Sequence, residues 1–333
     1  MSEIMGAEEV ALSLIVLSWN TLDITTNCID SILDYPPDVP WELIIIDNAS
    51  CDGSPEALEK KYGSIPHIRL VRNRKNLGFT GGNNQGIEMA LGDVIGLLNS
   101  DTVMRKGALT GLYRYLVEHA DVGVVGPSLI RDDGRPTTSF GYFPTAWSIF
   151  TTAFLPGWMW GNRRRALGVI PDKNMKEPME VGYVSGAAFF VKRSIIEKVG
   201  MFDAETFFAY YEETDWCLRI KKAGWKVVFI PDLEIVHLEG KSFEKLTSHR
   251  RLMQYESAKK FYRKHYNSAM LQWFKLCTVV GSLVKVAYFG LRMLLQPRKR
   301  ESLLPHYRWN AFVFELWKRG FKPQREIPVD TAG

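Results

Sequence analysis

Three aliphatic runs in this chain end abruptly on short polar side chains, and this pattern restricts the fold more than any other feature. Ala11 to Leu17 runs into Ser18-Trp19-Asn20, Leu43 to Ile46 stops at Asp47-Asn48-Ala49-Ser50, and Val94 to Leu98 meets Asn99-Ser100-Asp101. Short runs that are apolar at nearly every position suit strands buried on both faces, as in a parallel sheet covered by helices. Ile68 to Val71 and Val122 to Val125 read as further strands. The segments between them have helical spacing. Ile24, Cys28, Ile29, Ile32 and Leu33 fall on one side of residues 23–34, and Ser54-Pro55 supplies an N-cap and a first-turn proline. Thr80 to Leu91 reads as a helix entered through a glycine-rich stretch. Strands alternating with helices predict an α/β sheet. Open sheets of this kind bind ligands beyond the C-terminal ends of their strands, so the polar steps mark the mouth of a site.

The middle of the chain changes character. Phe140 to Leu167 is rich in aromatic residues, proline and glycine, includes Trp158-Met159-Trp160, and ends near Arg163-Arg164-Arg165. An irregular excursion or lid is expected there. Regular structure is expected again at Tyr183 to Val191, in a helix from Ser194, in an acidic helix from Glu212 to Ala223 and in a strand from Val227 to Pro231. From about Ser248 the chain reads as helical.

With 333 residues, 46% of them hydrophobic, a large core is available. The net charge is only +5, and much of the positive charge lies late, in Arg163-Arg164-Arg165 and Arg298-Lys299-Arg300. That distribution suits a local acidic surface, phosphate or membrane lipid, and no nucleic-acid recognition motif accompanies it. The four cysteines form no CxxC pair, which argues against a zinc or redox motif. The acidic start lacks the basic segment of a secretory signal, and free cysteines favour the reducing cytoplasm.

Residues 268–296 are strongly apolar but interrupted by Lys275, Lys285 and Arg292. The longest uncharged run, Leu276 to Val284, has nine residues, short of the roughly 18–20 that span a bilayer. At helical spacing Lys275, Thr278, Ser282, Lys285 and Arg292 share one broad face. This is the pattern of a helix lying in a membrane interface, the alternative being an amphipathic helix packed on the α/β domain.

Several side chains have the chemistry of a site. Asp47 can accept a hydrogen bond from the imide of a uracil or thymine base or from a ribose hydroxyl, with Asn48 and Ser50 beside it; an Asx-turn ending the strand is the alternative. Asn76, Gly78, Phe79, Gly82 and Asn83 form a loop whose peptide N–H groups can meet a phosphate or sugar hydroxyl, although it fits neither the P-loop nor the dinucleotide fingerprint. Asp101 is a candidate ligand for hard Mg²⁺ or Mn²⁺, with Asn99 a weak ligand or sugar contact; a simple strand-ending turn is the alternative. His237 can complete such a site or be a structural histidine. Glu212, Glu213 and Asp215 are more acids than helix capping needs, so one can take a proton from an attacking hydroxyl. Tyr210 and Tyr211 can wall an acceptor sugar.

In this order and spacing the motifs resemble the family 2 glycosyltransferases of the GT-A fold, and most closely the rhamnosyltransferase-like branch that builds bacterial surface polysaccharides. They are Ile15-Val16-Leu17-Ser18-Trp19-Asn20, Ile45-Ile46-Asp47-Asn48-Ala49-Ser50 with Asp52-Gly53-Ser54, and Asn76-Leu77-Gly78-Phe79 with Gly81, Asn83 and Gly86. Leu97-Leu98-Asn99-Ser100-Asp101, Ser185-Gly186-Ala187-Ala188, Gly200-Met201-Phe202-Asp203, the stretch from Phe207-Phe208 to Arg219, Pro231 and His237 follow.

The resemblance covers about residues 11–245 and implies a mixed, mostly parallel sheet with a Rossmann-like nucleotide-binding half. It implies a GT-A domain over 1–245, with the aromatic and basic insertion at about 140–170; the C-terminal helical extension over 246–333, read from the sequence pattern, lies outside the resemblance. The resemblance also implies a dTDP- or UDP-sugar donor and an inverting single displacement. Donor contacts would fall on Ser18, Asn20, Asp47, Asn48, Ser50, Asn76, Gly78, Phe79, Gly82, Asn83, Asn99 and Ser100. Mg²⁺ or Mn²⁺ would sit on Asp101 and His237, and the acceptor at Tyr210, Tyr211 and Trp216. The base position falls on Glu213, with Glu-Glu in place of the usual Glu-Asp, and Asn99 replaces the first acid of the usual metal motif. A glycan or polyprenyl-diphosphate-linked acceptor and a place on the inner face of the plasma membrane follow. The rival readings are a sugar nucleotidyltransferase, which would need a basic phosphate-gripping motif near Ser18, a dinucleotide-dependent oxidoreductase, and a non-catalytic nucleotide-sugar or glycan scaffold.

Overall fold

A computed structural model describes residues 9–154, 169–172, 174–238 and 247–318. The aliphatic runs form β1 (Leu12–Ser18), β2 (Trp41–Asp47), β3 (Ile68–Arg72) and β4 (Val94–Asn99), joined by α1 (Leu22–Asp34), α2 (Ser54–Tyr62) and α3 (Gly78–Met89). Then come β5 (Thr102–Val103), α4 (Ala108–Glu118), β6 (Val122–Ile130), β7 (Phe140–Gly141) and α5 (Ala146–Phe154). They are followed by β8 (Met179–Glu180), β9 (Tyr183–Val184), β10 (Ala188–Lys192), α6 (Arg193–Val199), α7 (Glu212–Lys222) and β11 (Lys226–His237). The chain continues through α8 (Thr247–His265), α9 (Ser268–Leu295) and α10 (Arg300–Lys318).

Among the described residues, nine strands make one sheet in the order β3-β2-β1-β4-β10-β6-β11-β5, with β8 against β11. The pairs β1–β2, β2–β3, β1–β4 and β6–β11 are parallel, whereas β10 runs antiparallel to both β4 and β6. The sheet is therefore a mixed α/β sheet, as the sequence predicts. Alternate residues feed two cores. Leu14, Val16, Leu43 and Ile45 pack with Ile29, Leu58 and Leu112 on one face, and Ile15, Ile44 and Ile46 with Ile87, Ile195 and Trp216 on the other. Both faces are covered, which is why the strands read as unbroken apolar runs.

Two expectations need correction. Phe140 to Leu167 is not irregular throughout: residues 146–154 form α5. Trp158-Met159-Trp160 and Arg163-Arg164-Arg165 lie outside the described residues. The strand expected to stop at Pro231 continues to His237. Proline is tolerated because the register with β6 shifts between Ile230 and Glu234, so Pro231 sits in a bulge.

The chain divides into two compact units, residues 1–143 with 162–261, and residues 144–161 with 262–333. In the second unit α5 packs on α9. Gly281 lets α9 approach Ala153, and Trp273 donates its indole N–H to the Ala146 carbonyl at 2.9 Å. The Phe289 ring stacks on His306 of α10 at 5.2 Å. By length and composition α9 is long and apolar enough to cross a membrane. Its polar Ser282 is buried, while Leu276, Val280, Leu283, Val284, Leu291 and Leu294 are exposed.

Candidate functional site

Strand register assembles the site at one edge of the sheet. Ser18 pairs with Asp47, and Leu17 with Asn99, so the polar ends of β1, β2 and β4 lie side by side. Because β10 is antiparallel to β4, its start joins the same edge, and the Asn99 N–H donates to the Ala187 carbonyl at 3.0 Å. Asp101 follows directly. The far end of β11 returns to it: His237 pairs with Thr102, and the Leu238 N–H donates to the Asp101 carbonyl at 2.9 Å.

The first group surrounds Asp47. Its Oδ2 accepts the Ser50 N–H at 3.0 Å, whereas its buried Oδ1 has no hydrogen-bond partner among the described residues. Asn20 and Ser50 tie the loops after β1 and β2 together, since the Asn20 N–H donates to Ser50 Oγ at 2.9 Å and Asn20 Oδ1 accepts the Cys51 N–H at 2.8 Å. Asn20 and Ala49 both have positive φ, of 52° and 66°, which folds these tips tightly back on the sheet. A buried carboxylate oxygen lacking a donor is a destabilising arrangement that a ligand N–H or O–H relieves.

Other predicted donor contacts prove to be internal supports. Asn48 is buried, donates from Nδ2 to Asn76 Oδ1 at 2.9 Å and to the Gly78 carbonyl at 3.1 Å, and accepts the Leu77 N–H at 2.9 Å. Asn83 donates to the Phe79 carbonyl, and Ser18 Oγ bonds Thr25 Oγ1. The glycine-rich stretch is not an open loop but the first turns of α3, a correction with a clear packing cause. A side chain on Gly82 would strike Leu17 and one on Gly86 would strike Ile15, so these glycines let α3 lie against β1. The Gly78 N–H donates to Asn76 Oδ1 and the Phe79 N–H to the Phe208 carbonyl. These two N–H groups therefore have protein partners.

The second group is Asp101 with His237. His237 Nε2 lies 3.3 Å from Asp101 Oδ1, and its buried Nδ1 has no partner among the described residues. Among the described residues no cluster of three His, Cys, Asp or Glu side chains forms a metal cage. A hard divalent cation held by one carboxylate and completed by substrate phosphates and water needs no such cage, so the donor set fits that kind of binding. Ser100 is buried in the same turn.

The third group opens α7. Glu212 and Glu213 each have a buried Oε2 without a hydrogen-bond partner among the described residues. Burial, reinforced by the Glu213 charge, pushes the Glu212 carboxyl well above the ordinary carboxylate range, and burial pushes Glu213 up to about 7. Glu213 borders the mouth of the sheet: a Cβ placed on Gly186 would lie 3.9 Å from Glu213 Cβ and 3.6 Å from the Phe79 ring. Gly186 belongs to the Ser185–Ala188 motif, but no local pattern places it in the site; the antiparallel placement of β10 brings it there.

Two predicted residues do not join this group. Asp215 is fully buried and its Oδ2 accepts from Arg219 Nε at 2.8 Å; the same guanidinium donates to the carbonyls of Val199 and Met201. Its carboxylate therefore clamps α7 to the end of α6 and is not a catalytic acid. Trp216, expected to touch the acceptor, is in the core, stacked on Phe189 at 5.2 Å, with its N–H on the Gly200 carbonyl. Tyr210 and Tyr211 are partly exposed beside the acids, and Tyr211 packs on Phe261 of α8 at 5.3 Å. Phe208, 51% exposed next to Gly78, is a further aromatic at this rim, one that no local sequence pattern marks as a site residue.

A mixed sheet of this order, with polar strand ends gathered at one edge, is the GT-A architecture. A mannosyltransferase, PcManGT from Pyrobaculum calidifontis, solved in complex with GDP-Man and Mn²⁺, superposes with a TM-score of 0.55 at 14% identity, covering 95% of this chain and 92% of that one. The Glycosyl transferase family 2 model matches residues 13–200, and the chain belongs to that family. It is a glycosyltransferase and a homologue of rhamnosyltransferases. An N-acetylglucosaminyl-diphospho-decaprenol L-rhamnosyltransferase of Mycobacterium tuberculosis is 29% identical over 279 residues, covering 79% of this chain and 88% of the relative. A dTDP-rhamnosyl transferase, RfbF of Shigella flexneri, is 25% identical over 186 residues, covering 55% and 56%.

Proposed function

We propose that this protein transfers rhamnose from dTDP-rhamnose to a hydroxyl of a polyprenyl-diphosphate-linked sugar, with inversion, in bacterial cell-surface polysaccharide synthesis. The observation that carries the mechanism is the Glu213 carboxyl, whose buried Oε2 has no hydrogen-bond partner among the described residues and whose proton affinity is raised by burial. A base of this proton affinity is matched to taking the proton of an attacking sugar hydroxyl near neutral pH. Glu213 takes the hydroxyl proton as the acceptor oxygen bonds to the anomeric carbon and the bond from that carbon to the diphosphate oxygen breaks. Burial and the neighbouring Glu213 charge raise the Glu212 carboxyl as well, which favours its protonated form and opposes two adjacent negative charges.

Asp47 Oδ1 suits the imide N–H of a thymine base or a ribose hydroxyl, and in this reading Asn99 and Ser100, at the end of β4, contact the sugar and diphosphate. Asp101 and His237 would hold Mg²⁺ or Mn²⁺, which when bound neutralises charge on the diphosphate. The rhamnose donor and the lipid-linked acceptor are supported by what the two bacterial relatives are named for.

The exposed apolar stripe of α9, followed by exposed Arg298, Lys299 and Arg300, supports a seat on the anionic inner face of the plasma membrane. An in-plane seat accommodates Lys275, Lys285 and Arg292 better than a span does. The test is release of dTDP or UDP from a panel of nucleotide sugars, with Mn²⁺ or Mg²⁺ and an N-acetylglucosaminyl-diphospho-polyprenol acceptor. Rhamnosyl product from dTDP-rhamnose, lost in Glu213→Gln, is expected; turnover of UDP-sugars alone overturns the donor assignment.

A further inference from the structure

The segment that delivers Glu212 and Glu213 has an unusual backbone. Tyr210 and Tyr211 are consecutive, bulky and non-glycine, and both have φ of 68°. Side chains of this kind rarely adopt the left-handed region, and they persist there only when surrounding structure over-determines them. The surroundings do so from two sides. From α3, Thr80 Oγ1 donates to the Phe207 carbonyl, and the Phe79 N–H to the Phe208 carbonyl at 2.9 Å. From α8, Ser257 Oγ donates to the Ala209 carbonyl at 2.7 Å, and Lys260 Nζ to the Thr206 carbonyl at 2.7 Å.

Ser257 stands out among these four. It is buried in the interior of a long helix, where a serine hydroxyl usually returns to its own helix backbone. Here the hydroxyl is spent on the peptide directly before the left-handed pair. Ser257 also lies well beyond residues 13–200, the part of the chain that the family model matches.

We infer that Ser257 is a positioning residue for the acid pair: by holding the Ala209 carbonyl it fixes the Tyr210–Tyr211 turn and so sets where the Glu213 carboxylate stands. Ser257 touches neither substrate nor reacting atoms. The inference rests on the reading of Glu213 as the base. Freed from this bond, the turn relaxes toward ordinary backbone angles and α7 starts displaced. Displacements of about 1 Å at a catalytic group lower turnover by up to roughly a hundredfold.

The experiment compares Ser257→Ala, Ser257→Thr and Glu213→Gln in the full-length chain, with dTDP-rhamnose, Mn²⁺ and the lipid-linked acceptor. Turnover is followed against pH, and dTDP affinity and thermal stability are measured alongside. The expected result is a kcat lower by at least about tenfold in Ser257→Ala, with dTDP affinity within about twofold of wild type and a displaced pH–rate limb. Ser257→Thr, which keeps the hydroxyl, restores kcat and the pH limb. If Glu213→Gln is inactive but Ser257→Ala retains kcat and pH profile, the positioning role is overturned and the base reading stands. Equal losses in the alanine and threonine variants, or a loss of dTDP affinity matching the loss of kcat, mark a general packing defect and also overturn it. An active Glu213→Gln overturns the base reading, and the inference with it.

Discussion

His237 Nε2 stands 3.3 Å from Asp101 Oδ1, although one residue follows β4 and the other ends β11. The contact exists because the end of β11 pairs with the short strand after Asp101, and the bulge at Pro231 lets β11 reach that far. If the pair holds the cation, Asp101→Asn and His237→Ala should each raise the Mn²⁺ concentration needed for half-maximal turnover by roughly 10–100-fold. A Mn²⁺ titration of dTDP release checks this. Unchanged metal dependence in both variants removes the pair from the metal site.

Glu213→Gln should lower turnover by about 10²–10⁴-fold while leaving dTDP affinity intact, because a general base acts on the transition state and not on the nucleotide. Steady-state kinetics and calorimetric dTDP binding separate the two. Weakened nucleotide binding would assign Glu213 to the donor pocket instead.

Turnover should rise with pH through about 7 and level off above it, since the base must be ionised and burial raises its carboxyl to that value. Stability should move the other way. The folded carboxyl keeps its proton above the ordinary value of 4.5, where the unfolded one has lost it. Its protonated form therefore favours folding at low pH, and that contribution is lost as pH rises from about 4.5 to about 7. Glu213→Gln, which removes the charge, is expected to be more stable than wild type at pH 8, on the order of 1 kcal/mol. Urea denaturation at pH 5 and pH 8 reads the sign.

Trp216→Ala should act through stability. The indole is fully buried against Phe189 and Phe202, so its loss is expected to cost about 3–5 kcal/mol. Denaturant unfolding measures this, and a folded variant of wild-type stability with a selectively raised acceptor KM would return Trp216 to the acceptor site.

Vesicle flotation tests the α9 surface. Leu283→Glu with Leu291→Glu should abolish binding to anionic vesicles, and high salt should weaken wild-type binding through the basic residues after the helix. Co-flotation of the double variant at the wild-type level would exclude this face as the membrane seat.

Much of the fold is legible in the chain itself. Unbroken aliphatic runs such as Leu43 to Ile46 announce strands covered on both faces, and the residue that stops each run reaches the C-terminal edge because parallel strands all end there. The antiparallel insertion of β10 has no such local signature, since Ala188 to Val191 is as apolar as its parallel neighbours. Side-chain roles were less legible than positions. Asn48, Asp215 and Trp216 have residue types that bind ligands elsewhere, but here their polar atoms have protein partners.

What the sequence determines by itself is therefore local and periodic: the strands, most helices, the polar steps at strand ends and the acid pair opening α7, because period and burial follow from neighbouring residues. Tertiary structure alone decides which distant groups meet. It brings His237 to Asp101, places Gly186 beside Glu213 and spends the Ser257 hydroxyl on Ala209. Those outcomes depend on strand order, register and one bulge, which are set by the packing of the whole sheet and not by any segment within it.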